Sequence, residues 1–295
     1  MKTYIDEYKV YLREVKKCSE NTFEAYIRDV EQFTRYCTEQ GISSVNDIES
    51  DDIDRYLIFI IANGKSASTK TRTIASIRCY FKFLTAKKII PVDCARSLKN
   101  PRNQQKMPDI LTSNEVLTLL LQPSGGDYKS MRDRAMLELL YATGIKVSEL
   151  IALNVSDVNL QIGIVHIKSA NHERIVPVYQ TAVKHLSDYL SIARPALVTD
   201  DGEARLFTNC NGKPMSRQGF WKIIKYYSNK AGIKKDITPQ TLRHSFAAHL
   251  LENGAQLSDI KDMLGHLDIS STQVYAQLVK SKYIQSYSKF HPLAK

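Results

Sequence analysis

Residues 238–255 read TPQTLRHSFAAHLLENGA. Thr238 suits a helix N-cap, Pro239 stands in the first turn, where its missing N–H costs nothing, and Gly254 closes the pattern. Leu242, Phe246 and Leu250 recur at steps of four, so the stretch is predicted to be an amphipathic helix with one buried stripe. Arg243 lies one step from Leu242, at the edge of that stripe. Its stem can pack while its planar fork reaches outward, the arrangement that grips a phosphate through two parallel charge-assisted hydrogen bonds. The other reading is an arginine paired with a carboxylate for stability. His244, the next residue, is open to the same pair of readings, structural or chemical.

Working upstream, TSNE (112–115) has the spacing of a capping box ahead of VLTLLL, and RDRAMLELLYATG reads as a longer helix ending at Gly144. Between Val155 and Val178 the period changes: GIVHIK and ERIVPV alternate or run β-branched around the polar SANH, which predicts a hairpin. Helical patterns resume at 179–192, and a small hairpin around LFTNCNGKPMS (206–216) is expected before RQGFWKIIKYYSNKAG. Residues 111–295 are therefore expected to form one domain, mainly helical with a small β-sheet.

LKNPRNQQKMPDIL (98–111), with two prolines and no apolar period, reads as an exposed boundary, with the linker set at 99–110. Its Lys99, Arg102 and Lys106 can follow a phosphate backbone. Residues 1–98 before it show helical periodicity throughout. Tyr4, Ile5, Tyr8, Tyr11, Leu12 and Val15 share a stripe; a second helix starts near Thr22 and carries Phe23, Ile27, Val30 and Phe33; a third follows the acids at 50–52. The fourth, TKTRTIASIRCYFKFLTAKK (69–88), buries Ile74, Ile77, Phe81 and Leu84 and offers Thr69, Lys70, Arg72 and Ser76 on its other face. That basic face makes either a small DNA-binding bundle or a plain bundle with a solvated face.

At 295 residues the chain is long enough for two cores. Its 41 Lys+Arg against 31 Asp+Glu give a formal charge of +10, which favours polyanions: nucleic acid first, an anionic membrane surface second. The membrane reading weakens because the apolar run YLIFIIANG falls far short of the ~20 residues that span a bilayer. MKTYIDEYKV carries charges where a signal peptide needs an apolar core. Cys18, Cys37, Cys79, Cys94 and Cys210 are odd in number and scattered, as in reduced thiols of an intracellular protein rather than a disulfide frame or zinc site.

Four segments appear in a fixed order: YATGIKVSEL (141–150), NHERIVPV (171–178), TPQTLRHSFAAHLLENGA (238–255) and LGHLDISSTQVYAQ (264–277). Together they resemble the tyrosine recombinase (phage integrase) family in its Xer branch, and the likeness runs nearly the full chain, to the FHPLAK tail. The resemblance implies a mainly α protein with a small β-sheet in its second domain, the two domains forming a C-shaped clamp on double-stranded DNA. It implies no cofactor, no metal and a cytoplasmic, nucleoid-associated location. It also implies a homo- or hetero-tetramer on DNA, with or without a second recombinase. The tail at 281–295, with Tyr283, Ile284, Tyr287 and Phe290 at helical spacing, would be exchanged between neighbours or dock on its own domain.

Residue by residue, the resemblance makes Tyr275 the nucleophile that attacks a DNA phosphodiester, leaving a 3′-phosphotyrosyl link and a free 5′-hydroxyl. Arg243 matches the second clamp arginine and His266 the family's His/Trp position. Three positions depart: Lys146 stands where the first clamp arginine belongs, Ser169, with Lys168 beside it, where the hairpin lysine serves as general acid, and Gln240 at the first histidine of H-x-x-R. The chemistry sets the cost of each. A phenol with pKa near ~10 needs a base or an electropositive site, the phosphorane needs cations on its oxygens, and the leaving alkoxide needs a proton. Lys146 keeps charge but loses the fork, a deficit of about 2–4 kcal/mol if one clamp bond is lost. Gln240 can donate a hydrogen bond but cannot shuttle a proton, and Ser169 is a poor acid. Lys168 substitutes only through a one-residue register shift that strand alternation opposes. Two functions follow: a site-specific DNA recombinase, weakened or partner-dependent, or a catalytically inactive recombinase-fold DNA-binding protein serving as repressor or architectural subunit. Against both stands the plain possibility that Tyr275, one of 16 tyrosines, only packs.

Overall fold

Helix α1 (Lys2–Val10) runs into a single π turn (Tyr11–Val15), and of its predicted stripe Ile5, Tyr8 and Leu12 are buried while Val15 is exposed. The computed structural model describes residues 2–98, 108–169, 172–198, 202–265 and 272–276. By its internal contacts the chain divides into two units, Met1–Gln105 and Lys106–Lys295.

In the first unit α2 (Glu20–Glu39) begins slightly ahead of Thr22, because the Ser19 hydroxyl accepts from the Thr22 N–H and caps it. Helix α3 (Ser50–Ala62) is opened by Asp52, whose carboxylate accepts from the Glu49 N–H, and α4 (Ala67–Ala86) by Ser66. The expected stripe residues of α2 and α4 are all buried, and Tyr8, Tyr80 and Phe83 interlock at the centre, with ring centroids 5.1 Å apart for Tyr8 and Tyr80. The basic face of α4 differs from expectation. Arg72 is bound to Asp29 of α2 through Nε and Nη2 at 2.9 and 2.7 Å, and the buried Ser76 hydroxyl donates to the same carboxylate at 2.8 Å. A carboxylate buried on α2 must be compensated, and α4 supplies the compensation. Lys70 makes no ion pair among the described residues. Lys99, Arg102 and Lys106 lie outside the described residues.

The second unit opens with α5 (Ser113–Leu121), and its capping box is formed: the Glu115 N–H donates to Thr112 and the Thr112 N–H to the Glu115 carboxylate. Helix α6 (Tyr128–Thr143) buries Ala135, Met136, Leu137, Leu139 and Leu140 together with the charged Arg132, Asp133 and Glu138, because it is packed on several sides at once. It stops at Gly144, with φ of +59°, and the short α7 (Val147–Ala152) follows. A three-stranded antiparallel meander comes next: β1 (Val158–Asn159), β2 (Ile164–Ser169) and β3 (His172–Pro177). Val165 pairs with Val176 and Ile167 with Arg174, so Val165, Ile167 and Val176 face the core while His166 and Lys168 face away.

Helix α8 (Gln180–Asp188), a π turn (Tyr189–Ala193) and α9 (Arg194–Leu197) carry the chain to 206–216. There the expected small hairpin forms: Thr208 bridges Pro214, the Asn209 N–H donates to the Lys213 carbonyl at 2.7 Å and the Met215 N–H to the Phe207 carbonyl at 3.1 Å, around a turn whose backbone N–H groups bond the Asn209 side chain. Helices α10 (Arg217–Lys230), α11 (Pro239–Glu252) and α12 (Leu257–Leu264) complete the unit, with a helical turn at 272–276. No described helix is long and apolar enough to cross a membrane.

Candidate active site

Thr238 caps α11 as its sequence predicts, its hydroxyl accepting from the Thr241 N–H at 3.2 Å. Leu242 joins the main core, and Phe246 and Ala247 enter a second cluster with Ile260 and Leu264 of α12 and Tyr275 of the 272–276 turn. With apolar neighbours on two sides, the rim of the stripe is interior. Arg243 is consequently 2% exposed, rather than directed outward as its position in the stripe suggests.

Its guanidinium is held by backbone. Nη1 donates to the Gly144 carbonyl at 2.6 Å and Nη2 to the Leu264 carbonyl at 2.7 Å. These acceptors sit at the C-terminal ends of α6 and α12, where carbonyls lack helical partners and the helix dipoles are negative, and each helix is closed by a left-handed glycine, Gly144 or Gly265. Burial pulls the Arg243 pKa down to about 10, with Tyr275 and Glu149 opposing, so the group remains a cation at neutral pH.

A second buried guanidinium grips the same turn. Arg174 of β3 donates from Nε to the Met263 carbonyl at 2.8 Å and turns its fork onto Glu149 of α7. The Glu149 carboxylate also accepts the Lys146 N–H at 2.8 Å. Arg174 was not among the sequence candidates. Its signal was there: it alternates with buried Val176 on β3 and so stands on the inward face.

Tyr275 is 1% exposed, and its hydroxyl lies 2.9 Å from Nδ1 of His244, with ring centroids 5.5 Å apart. Burial pushes the phenol above its ordinary value, and the Arg243 cation works against that rise. Burial, and then the neighbouring Arg243 charge, hold His244 down at about 4, so it is a neutral imidazole at pH 7. Cation, imidazole and phenol are thus gathered by two consecutive residues of α11 and one residue of the 272–276 turn.

The remaining candidates fall elsewhere. Lys146 is exposed at the N-cap of α7, two residues beyond the Gly144 carbonyl that Arg243 holds. Gln240 is exposed on the first turn of α11 and hydrogen-bonds neither Arg243 nor Tyr275. Lys168 keeps the outward register, its Nζ paired with Asp157 at 3.0 Å, and Ser169 pairs with His172 at the end of β2. His266 and the tail at 281–295 lie outside the described residues. Among the described residues no group of three His, Cys, Asp or Glu is placed to hold a metal ion.

The chain matches the phage integrase family over residues 109–282 and the phage integrase N-terminal SAM-like domain over residues 5–88. It is 43% identical over 295 residues, covering 100% of both chains, to tyrosine recombinase XerD of Staphylococcus epidermidis. The same full coverage at 44% identity holds for tyrosine recombinase XerD of Staphylococcus aureus. Among solved structures it is similar to the XerA recombinase, at 28% identity and a TM-score of 0.56 over 98% of this chain and 99% of that one. In fold it also matches the XerH site-specific recombinase bound to palindromic difH substrate in a post-cleavage complex, at 20% identity and a TM-score of 0.77 over 96% of this chain and 83% of that one. With both units matched and the likeness running end to end, the chain belongs to the phage integrase family of tyrosine recombinases.

Proposed function

We propose that this chain is a site-specific DNA recombinase that cuts and rejoins double-stranded DNA through a 3′-phosphotyrosyl link on Tyr275. What carries the reading is the meeting of the Tyr275 hydroxyl with His244, beside the buried Arg243 cation, in a chain alike over its whole length to proteins named as tyrosine recombinases. The phenol attacks phosphorus, the P–O5′ bond breaks, and the energy of the phosphodiester is kept in the protein–DNA bond. No nucleotide cofactor is needed to reseal the strand. Arg243 is the cation for the phosphorane oxygens. Because Arg243 and Tyr275 are both buried, DNA has to draw the last turn of α12 aside, with the Tyr275 hydroxyl kept on His244, before the phosphate can meet them. Assembly as a tetramer on two duplexes, alone or with a second recombinase, is part of the same proposal, as are DNA contacts by Lys70, Lys99, Arg102 and Lys106.

Lys146, Ser169 and Gln240 point to slow chemistry. They also motivate the second reading, a DNA-binding protein without cleavage. One experiment decides. Duplexes with a randomised core are selected on Tyr275→Phe protein, which binds without cutting, and the winning sequence is rebuilt as a nicked suicide substrate. The recombinase reading expects a covalent protein–DNA band with wild-type protein and none with Tyr275→Phe. Tight binding with no band at long times favours the second reading, and no selected sequence at all sinks both.

A further inference from the structure

We infer that His244 is the proton acceptor for Tyr275, a role that rests on the recombinase reading above: Nδ1 holds the phenolic hydroxyl and takes its proton as the oxygen bonds to phosphorus. The distance of 2.9 Å lies within the reach required of a general base. Within a neutral phenol–imidazole pair the phenol is the better donor and the imidazole lone pair the better acceptor. The bond is therefore Tyr275 O–H to Nδ1, with the ring proton on Nε2.

Among the described residues, the other candidate groups fail as bases. Gln240 has no proton-accepting nitrogen. Lys146 is exposed at the N-cap of α7 and makes no hydrogen bond to Tyr275, and the Lys168 Nζ is paired with Asp157. Arg243 remains a cation. His244 alone offers a neutral nitrogen to the hydroxyl among the described residues. Its place on α11 allows this: Arg243 and His244 are consecutive and point about 100° apart around the helix. One reaches the carbonyls of Gly144 and Leu264, the other the Tyr275 ring.

A phenol held above its ordinary value beside an imidazole held down at about 4 disfavours a free phenolate before attack. The proton must move as the bond to phosphorus forms, when the attacking oxygen becomes acidic. The incoming phosphodiester anion also stabilises the imidazolium that results. In the step as written the Oη–P bond forms and the P–O5′ bond breaks with its electron pair on O5′. The Oη proton passes to Nδ1, and O5′ takes a proton from solvent. On rejoining, the attacking 5′-hydroxyl gives its proton to solvent and Nδ1 returns its own to Tyr275.

The test uses full-length protein and the nicked duplex selected above. His244→Ala is expected to slow the Tyr275–DNA link by about 10²–10⁴-fold. Binding to intact duplex should hold at the wild-type value, and the rate is read at a temperature where the variant is still folded. Free imidazole added to His244→Ala should restore the rate in proportion to its concentration, a response that a packing role does not give. His244→Asn, which keeps an acceptor near Nδ1 but takes no proton, should be as slow and should not respond. A His244→Ala protein that cuts at the wild-type rate, or a slow one that imidazole leaves unchanged, overturns the inference. If His244→Ala does not fold, a wild-type rate in His244→Asn overturns it instead. Wild-type protein that forms no Tyr275-dependent link sinks the recombinase reading and this inference together, whereas an active wild type beside unimpaired variants sinks the inference alone.

Discussion

Arg174 and Glu149 meet fork to carboxylate, Nη1 to Oε1 at 3.0 Å and Nη2 to Oε2 at 2.8 Å, with the two side chains 6% and 8% exposed. Since Arg174 also holds the Met263 carbonyl, the pair ties β3, α7 and the end of α12 into one joint. Removing one partner strands a buried charge, so Arg174→Ala or Glu149→Ala should cost the second unit about 3–5 kcal/mol. Trp221, the single tryptophan, lies on α10 in that unit, so its fluorescence in a denaturant titration reads the loss directly. A loss below about 1 kcal/mol would mean the carboxylate is rehydrated when its partner is gone.

The same pair sets an acid limit. Burial pushes the Glu149 carboxyl up, but the hydrogen bonds from Arg174 and from the Lys146 N–H outweigh it and leave the group below its ordinary 4.5. A carboxyl depressed on folding contributes stability that is fully present above about 4.5, its value in the unfolded chain, and is lost as pH falls through the folded value. Glu149→Gln, which cannot ionise, should therefore be less stable than wild type at pH 7. The difference should narrow as pH drops below about 4.5, tracked by Trp221 fluorescence melts across that range.

In the first unit Asp29 is the buried partner and Arg72 the half-exposed one. Arg72→Ala should cost about 1–3 kcal/mol, since it leaves the Asp29 carboxylate with only Ser76, although water reaching the site tempers the loss. Lys70→Ala, with no ion pair to break among the described residues, should leave the melt within about 0.5 kcal/mol and instead weaken DNA binding and lower its salt dependence. Far-UV melts and filter-binding at two salt concentrations separate the two residues. Equal effects of both on DNA affinity would return Arg72 to the binding surface.

These residues also show where reading by pattern stops. The cap and proline of α11, the stripes of α2 and α4 and the alternation of β2 are local, and each appears where its spacing placed it. Arg72 falls on the polar side of α4 by periodicity, yet its partner is a lone carboxylate on another helix, and a single Asp beside Val30 reads as surface. For Arg243 the stripe gave the right helix face and the wrong depth. Its burial depends on the ends of α6 and α12 converging on one point, a fact held in no short window of sequence. His244 was legible only as a choice between structure and chemistry, because its partner Tyr275 is far along the chain.

Gly144 is where those constraints coincide. It has φ of +59°, its carbonyl accepts from Arg243 at 2.6 Å, and a Cβ there would lie 2.3 Å from the Phe246 ring and 3.0 Å from Leu264. Gly144→Ala combines left-handed strain with overpacking, about 2–4 kcal/mol together. Phe246 and Leu264 pack in the same cluster as Tyr275, so cleavage should fall by more than the melt alone explains. The check is the suicide-substrate rate at a temperature where the variant is still folded. Cleavage at the wild-type rate there would mean that the Arg243–Gly144 contact does not position the site.

The three departures from the family pattern share one property: Lys146 at the start of α7, Ser169 at the end of β2 and Gln240 on the first turn of α11 are all exposed. Exchanging exposed residues usually moves stability by no more than about 0.5 kcal/mol, so chemistry can be restored without disturbing the core. Lys146→Arg supplies a fork and should speed cleavage by about 10²–10³-fold if it recovers one phosphorane contact. Ser169→Lys supplies an acid for the leaving 5′ oxygen, with a further gain on the order of 10²–10⁴-fold. Gln240→His adds a second imidazole. If His244 already takes the Tyr275 proton, this last change should add least, and the triple variant should differ little from Lys146→Arg/Ser169→Lys. A large gain from Gln240→His alone would instead make proton acceptance the missing step, and would move that role from His244 to the first turn of α11.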